Sequence, residues 1–491
     1  MERAISITQR ALIVSGTRLM NRSLLVISPI ILARVLTVES YGRYREFLVY
    51  VTMLTGIAAF GINSSLLSFV PRDPALGWRY VNQSIVLTMA SATLVALGAL
   101  LLHVTTGSHL LGEFPVAVAL YTWLFVNFDF WESLLIAERR PMHVLRYTTV
   151  RLLARIGVAT IAAALTGDVT VIVWSLVAME FVRVLISMSV WRVRDRRVPP
   201  APPEPGSWRT QLEYCVPSGL ALILVTLNAS VGSLFVTKVL GAAALAQYAI
   251  GVYVQPIITI VRNSLSDVLL GEMSARRRDN EAGALALWQR STIVTMFVLL
   301  PWGILLARYA DIIVTTLFGE NYRPAVVVFQ LFTLVLVRHT FDFAVPLRAR
   351  NLTAPILRSN LVALILNIGL MVVMLPRWGL VGAVGAYVIS RMLEGVYMGA
   401  QTMRAYGIGL SKLARWRDLG KIAAGGAASS IVLYGSFWTD LLGRVPGAIA
   451  GSIVYMIVFV ALLRLTDVGE VGDLLRRVQG FSRGLLSRFQ A

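Results

Sequence analysis

A chain of 491 residues that is 57% hydrophobic, only 14% charged and formally +19 is not an ordinary soluble globular protein. Its basic residues punctuate long apolar runs instead of gathering on a surface domain, so the charge speaks for membrane topology and against nucleic acid as a partner. The single cysteine, Cys215, excludes an internal disulfide and a cysteine-based metal cluster and reads as a small packing residue inside a span.

The opening MERAISITQR leads into a long apolar run with no small-residue cleavage site, which predicts a retained first helix. About 20 apolar residues cross a bilayer. Fourteen such windows follow: 11–35, 45–70, 80–103, 114–137, 144–166, 169–191, 211–237, 245–270, 287–308, 324–347, 354–376, 379–403, 419–438 and 446–465. The expected fold class is an all-α polytopic membrane protein. Alternate loops carry most of the Lys and Arg, among them Arg139 and Arg140, Arg192 to Arg197, Arg276 to Arg278 and Arg415 to Lys421. The loops HVTTGSHLLGEF and TGDVT carry none. Under the positive-inside rule this predicts a multi-pass protein of the cytoplasmic membrane with both termini in the cytoplasm.

The longest polar break, RVRDRRVPPAPPEPGSW, is proline-rich and reads as a semi-rigid linker after span 6. The two flanks resemble each other. Arg34-Val35-Leu36 running to Tyr44 matches Lys238-Val239-Leu240 running to Tyr248 without a gap. Six spans per half would put the repeat axis along the membrane normal. The expected organisation is an N-terminal lobe over 1–197, a linker over 198–209, a C-terminal lobe over 210–404, two added spans over 405–466 and a cytoplasmic tail over 467–491. Residues 311–322 are too short to cross and read as an outer interfacial segment. In the tail, Leu474, Leu475, Val478, Phe481, Leu485 and Phe489 share a helical face, with Arg476, Arg477, Arg483 and Arg488 elsewhere, which suits an anionic inner leaflet.

Arginines inside the spans carry the functional argument, because a guanidinium enters the bilayer as a cation at a cost of roughly 2.5–3.5 kcal/mol on insertion scales. Such residues face a partner acid or a hydrated cavity. Spacing offers partners to some: Glu180 and Arg183, Arg391 and Glu394, Arg338 and Asp342, and Asp129 and Glu132 for Arg151 and Arg155. Arg338, His339 and Asp342 together also suit a secondary, coupling role, since a histidine beside an acid can relay protons. Arg18, Arg22 and Arg262 have no acid within four residues. Pro29 and Pro256 are candidate kinks in spans 1 and 8.

No P-loop, HExxH, zinc spacing or G-x-S-x-G elbow occurs. With outside loops this short, the sequence favours transport over catalysis and calls for no cofactor and no metal.

Several segments resemble one family. ILARVLTVESYGRYREFLVYVTMLTGIAAFGINSSLLSFVPR is similar to the first two spans of the polysaccharide flippases of the multidrug/oligosaccharidyl-lipid/polysaccharide exporter superfamily. VLGAAALAQYAIGVYVQPIITIVRNSLSDVL resembles their eighth span, and LFGENYRPAVVVFQLFTLVLV the entry to their tenth. NLVALILNIGLMVVMLPRWGLVGAVGAYVISRMLEG resembles their eleventh and twelfth, with Asn367, Pro376, Gly379, Gly382, Ala383, Gly385 and Ala386 in the family pattern. The resemblance implies two six-helix lobes, often with two added helices, and alternating access around a central cavity. It implies a cargo of glycan on polyprenyl pyrophosphate, with other polysaccharide-assembly proteins as further candidate partners. It places Arg18, Arg22, Arg262 and Asn263 in a cationic, substrate-binding cavity, where arginine forks suit phosphate oxygens. The rivals are a multidrug exporter of the same superfamily, a membrane glycan polymerase or ligase, and a non-transporting scaffold.

Overall fold

The computed structural model describes residues 27–72, 77–106, 111–198, 206–253, 266, 269–274, 280–466 and 469–472. Among them the regular structure is helical throughout, with no strand. Two compact units emerge, Met1–Ala249 and Ile250–Ala491.

The first unit holds α1 (residues 27–35), α2 (Val38–Ala59), α3 (Ile62–Phe69), α4 (Gly77–Thr106), α5 (Pro115–Val126), α6 (Trp131–Ala137), α7 (Pro141–Thr166), α8 (Val169–Asp195), α9 (Ser207–Leu240) and most of α10 (Ala242–Gly251). Thr37 caps α2, its hydroxyl accepting from the Ser40 amide. Phe60 and Gly61, both at positive φ, end α2 and turn the chain by 44° into α3. Small residues then let α2 lie close to the start of α10 and its C-terminal turn lie close to α9. A Cβ at Gly42 would sit 2.0 Å from the Ala242 carbonyl oxygen, and one at Gly219 would sit 2.6 Å from that of Phe60. A buried polar seam crosses this packing: Gln211 donates to the hydroxyls of Ser65 and Ser84, and Gln83 to that of Ser207. Of the short sequence repeat, Tyr44 and Tyr248 are both buried, in this one unit. So α9, on the far side of the proline-rich run, packs with the helices before it.

The second unit holds α11 (residues 269–274), α12 (Glu281–Arg308), α13 (Ala310–Phe318), α14 (Ala325–Thr333), α15 (Val335–His339), α16 (Ala344–Ala349), α17 (Ala354–Tyr406), α18 (Leu410–Leu413), α19 (Trp416–Ser429), α20 (Phe437–Leu442) and α21 (Arg444–Leu465). α17 is two helices. Gly379, at φ 55 and ψ −136, reverses the chain, and Gly382 then lies so close to Met374 that a Cβ would be 2.1 Å from its carbonyl oxygen. Only glycine adopts that backbone conformation freely. One core gathers around Trp288, Phe343 and Leu347, a second around Ile293, Ile422 and Phe459, and a third around Tyr309 and Tyr455.

Eight helices among the described residues are long and apolar enough to cross a membrane, nine if α2 and α3 form one bent span. That number is smaller than the fourteen windows of the sequence for local reasons. Windows 11–35 and 245–270 lie largely outside the described residues, windows 4 and 13 are broken into shorter helices, and windows 11 and 12 share α17. Leu94, Leu165, Val396 and Ile457 are exposed on the long helices, as lipid-facing side chains are. The 311–322 segment forms α13 and a single 3-10 turn, too short to cross. The expected amphipathic tail beyond residue 472 and the candidate kink Pro256 lie outside the described residues.

Candidate functional site

At two of the interruptions in the apolar spans of the described residues, buried charge gathers. In the first unit the break runs from Asn127 to Phe130, between α5 and α6, with Phe128 at positive φ. A helix that stops inside an apolar layer leaves carbonyls without amide partners, and lipid supplies none. Arg183 of α8 supplies them. Its guanidinium donates to the carbonyl oxygens of Leu124, Phe125, Asn127 and Phe128, and its Nε to fully buried Glu180. Arg151 of α7 pairs with Asp129 in the break, lies 4.0 Å from Glu180 and stacks over Phe125 at 4.7 Å. Two acids thus meet two guanidiniums in a neutral quartet. Arg155 lies over the Tyr121 ring, 5.9 Å from its centroid.

In the second unit the break runs from Thr340 to Phe343, between α15 and α16. Arg338 donates to the Phe341 carbonyl at 2.7 Å and, through Nε and Nη2, to Glu394 Oε2 at 3.2 and 2.9 Å. Gly395 makes room for this arginine, since a Cβ there would be 2.5 Å from Arg338 Cδ. Asp342 accepts from the Ser266 hydroxyl at 2.6 Å and from the Ala344 amide at 3.2 Å. Its carbonyl accepts from the Trp288 indole at 3.0 Å. Beside it is a small cavity of about 10 Å³ that Leu269, Trp288, His339 and Thr340 also line.

Against the spacing argument, the Glu180–Arg183 and Asp129–Arg151 pairs form, and two others do not. Arg338 does not pair with Asp342, because the helix ends between them and the four-residue spacing no longer puts them on one face. Glu394 turns to Arg338 in place of Arg391, which lies over the Tyr387 ring. The proposed cavity residues Arg18, Arg22, Arg262 and Asn263 lie outside the described residues.

Sequence reasoning missed one signal. The tripeptide Phe-Asp-Phe occurs at 128–130 and again at 341–343, at the two breaks. A search for identical tripeptides centred on an intramembrane acid would have found it.

Discontinuous spans with charge at the break are the architecture of secondary transporters. Solved structures of that class share the fold. The lipid II flippase MurJ in an inward closed conformation matches with a TM-score of 0.71 at 14% identity, over 92% of this chain and 99% of that one. The Vibrio cholerae MATE transporter VcmN matches with 0.54 at 14% identity, over 81% and 95%. A superfamily transporter from Pyrococcus furiosus matches with 0.52 at 12% identity, over 81% and 96%. The chain is a multi-pass membrane protein with the fold of that transporter superfamily. More particularly, it belongs to the polysaccharide biosynthesis protein family, whose model matches residues 31–327. No curated protein matches the sequence.

Proposed function

We propose that this protein moves a polyprenyl-pyrophosphate-linked oligosaccharide, or a related glycan precursor, across the cytoplasmic membrane for cell-surface polysaccharide synthesis. The observation that carries the reading is the polysaccharide biosynthesis family model over residues 31–327, on a chain with a transporter fold. In this reading the chain is not an enzyme. Two six-span lobes, 1–197 and 210–404, alternate access to a central cavity, spans 13 and 14 are added to them, and both termini are cytoplasmic. The basic tail after residue 466 rests on the anionic inner leaflet. Arg18, Arg22, Arg262 and Asn263 hold the anionic head group, because a guanidinium fork binds phosphate oxygens bidentately and keeps its proton at any physiological pH.

Gene deletion followed by localisation of the lipid-linked glycan tests this. Accumulation on the cytoplasmic leaflet is the expected result. Build-up of flipped but unpolymerised units would move the assignment to a polymerase or ligase. Unchanged glycan with increased sensitivity to cationic drugs would move it to the multidrug branch that shares the fold. Arg18→Ala combined with Arg22→Ala is expected to abolish complementation at normal protein abundance, and full complementation would remove these two residues from the site.

A further inference from the structure

We propose that the basic corner where α7 begins and α8 ends binds the headgroup of an anionic glycerophospholipid. The inference goes beyond the transport reading and rests on it only for the leaflet, which in that reading is the cytoplasmic one. It concerns a different part of the chain from the basic tail after residue 466.

α7 and α8 form an antiparallel hairpin joined by Gly167 and Asp168 alone. Both helices rise about 1.5 Å per residue, so the start of α7 and the end of α8 lie at one level. A direct tie fixes that level: Arg194 of α8 and Arg140, the residue before α7, both pair with Glu138, the latter at 3.4 Å. Residues 138–146 and 191–198 hold seven arginines and only two acids. Both acids are engaged within the corner, Glu138 by those two arginines and Asp195 by the Trp78 indole at 2.6 Å and the Asn82 amide at 3.1 Å. Arg139, Arg146 and Arg192 are exposed, and no ion pair among the described residues includes them.

Topology alone asks for basic loops on this side of the membrane, but it does not ask for arginines at these places. A helix carries positive partial charge at its N-terminus, where a cation is disfavoured and an anion favoured. Arg139, Arg140 and His143 nevertheless crowd the start of α7, with Glu138 as the one acid beside them. The negative C-terminal end of α8 accounts for Arg192 and Arg194 in its last turn. It accounts for nothing at α7. An anion bound at the corner would relieve the repulsion that the protein's own two acids leave in place.

The residues that follow these charges along each helix select a lipid over a soluble anion. On α7, Arg146, Val150 and Leu153 are four and three residues apart, so they share one face, and all three are exposed. On α8, Arg192, Ser189 and Leu185 are spaced in the same way and are exposed too. Each guanidinium therefore heads an exposed stripe that runs into the span, about 10 Å long from Arg146 to Leu153. A soluble anion would use the guanidiniums alone. A glycerophospholipid uses both parts, its phosphate against guanidinium forks that bind phosphate oxygens bidentately and its acyl chains along the stripes. The excess of arginine over acid calls for a headgroup of net negative charge in place of a zwitterionic one.

The test uses the full chain, purified in detergent, and thermal unfolding at constant ionic strength as phosphatidylglycerol, phosphatidylcholine or soluble glycerol phosphate is added. A saturable rise in the unfolding midpoint is expected with phosphatidylglycerol and not with the other two. In a variant combining Arg139→Gln, Arg146→Gln and Arg192→Gln the half-saturating concentration should rise at least about tenfold. If that variant does not fold, Arg146→Gln alone provides the reading, with a rise of about fivefold. The matched control, Arg348→Gln with Arg358→Gln and Arg404→Gln, removes as much charge from exposed arginines of the second unit and should respond as the wild type does. Equal losses in the two triple variants would overturn the site in favour of a general attraction between basic protein and anionic lipid. An equal response to glycerol phosphate would replace the lipid with a soluble anion, and an equal response to phosphatidylcholine would remove the role of charge. An unchanged half-saturation in the corner variants would also overturn the proposal. The readout involves no cargo, so a failed lipid site leaves the flippase reading standing, and a failed flippase reading leaves the lipid site standing.

Discussion

The same tripeptide breaks a span in each unit, and the two breaks are neutralised differently. At 128–130 four side chains from two helices and the break itself form a closed set of two acids and two arginines. At 341–343 one ion pair, Arg338–Glu394, holds the backbone, while among the described residues the Asp342 carboxylate accepts from the Ser266 hydroxyl and the Ala344 amide. The lesson is that a broken span needs its carbonyls satisfied, which an arginine does at each break, whereas the acid in the break is paired with an arginine at Asp129 and, among the described residues, with none at Asp342. The first break is neutralised by charge from α7 and α8, and the second is held by one ion pair that does not include its acid.

The sharpest way to break this comparison is Glu180→Gln. It leaves Arg151 and Arg183 buried with a single carboxylate, and removing one partner of a buried pair costs about 3–5 kcal/mol. Loss of monodisperse folded protein, or a large fall in the unfolding midpoint, is expected by size-exclusion and thermal melts. A near-wild-type melt would show that the quartet is not a unit. Next in size is the contrast between Asp129→Asn and Asp342→Asn. The first strands Arg151 and should cost roughly 3–5 kcal/mol, whereas the second removes a charge that has no ion pair among the described residues and keeps an acceptor for the Ala344 amide, so it should shift stability by less than about 1 kcal/mol. Equal losses in the two melts would erase the distinction.

Gly395→Ala should cost about 1–3 kcal/mol, because the new methyl meets the Arg338 stem and the pair with Glu394 must move. The matching control, Gly157→Ala, meets nothing within 4 Å and should be neutral or slightly stabilising. The smallest effect concerns charges outside the spans. Hydrogen bonding from Arg323, with Arg444 adding to it, holds the Asp311 carboxyl below its ordinary value of 3.8. Stability from this lowered pKa is present above the ordinary value and is lost as pH falls through the folded one. Arg444→Gln should flatten that acid-side loss slightly, in melts between pH 5 and about 3, with a change below roughly 1 kcal/mol at neutral pH.

Parts of the site were legible from spacing alone. Glu180 and Arg183 are three apart on a continuous helix, so period predicts their pairing, and it holds. Arg338 and Asp342 are four apart, yet the helix between them stops, so the same rule fails. The partner that Arg338 takes, Glu394, is 56 residues away, and no local pattern contains it. Gly395 is equally silent in sequence, because its role is to leave space for a side chain from another helix.

By itself the sequence determined the class of protein: apolar windows of bilayer length, basic loops between them and no catalytic motif. These follow from the solvent, since the bilayer acts on each segment independently and its demands are written locally. Only the tertiary structure decided which buried charges neutralise one another, where spans are interrupted, and which acid faces a cavity. Those outcomes depend on side chains from distant helices meeting at one point, and a linear pattern of hydrophobicity does not record such meetings.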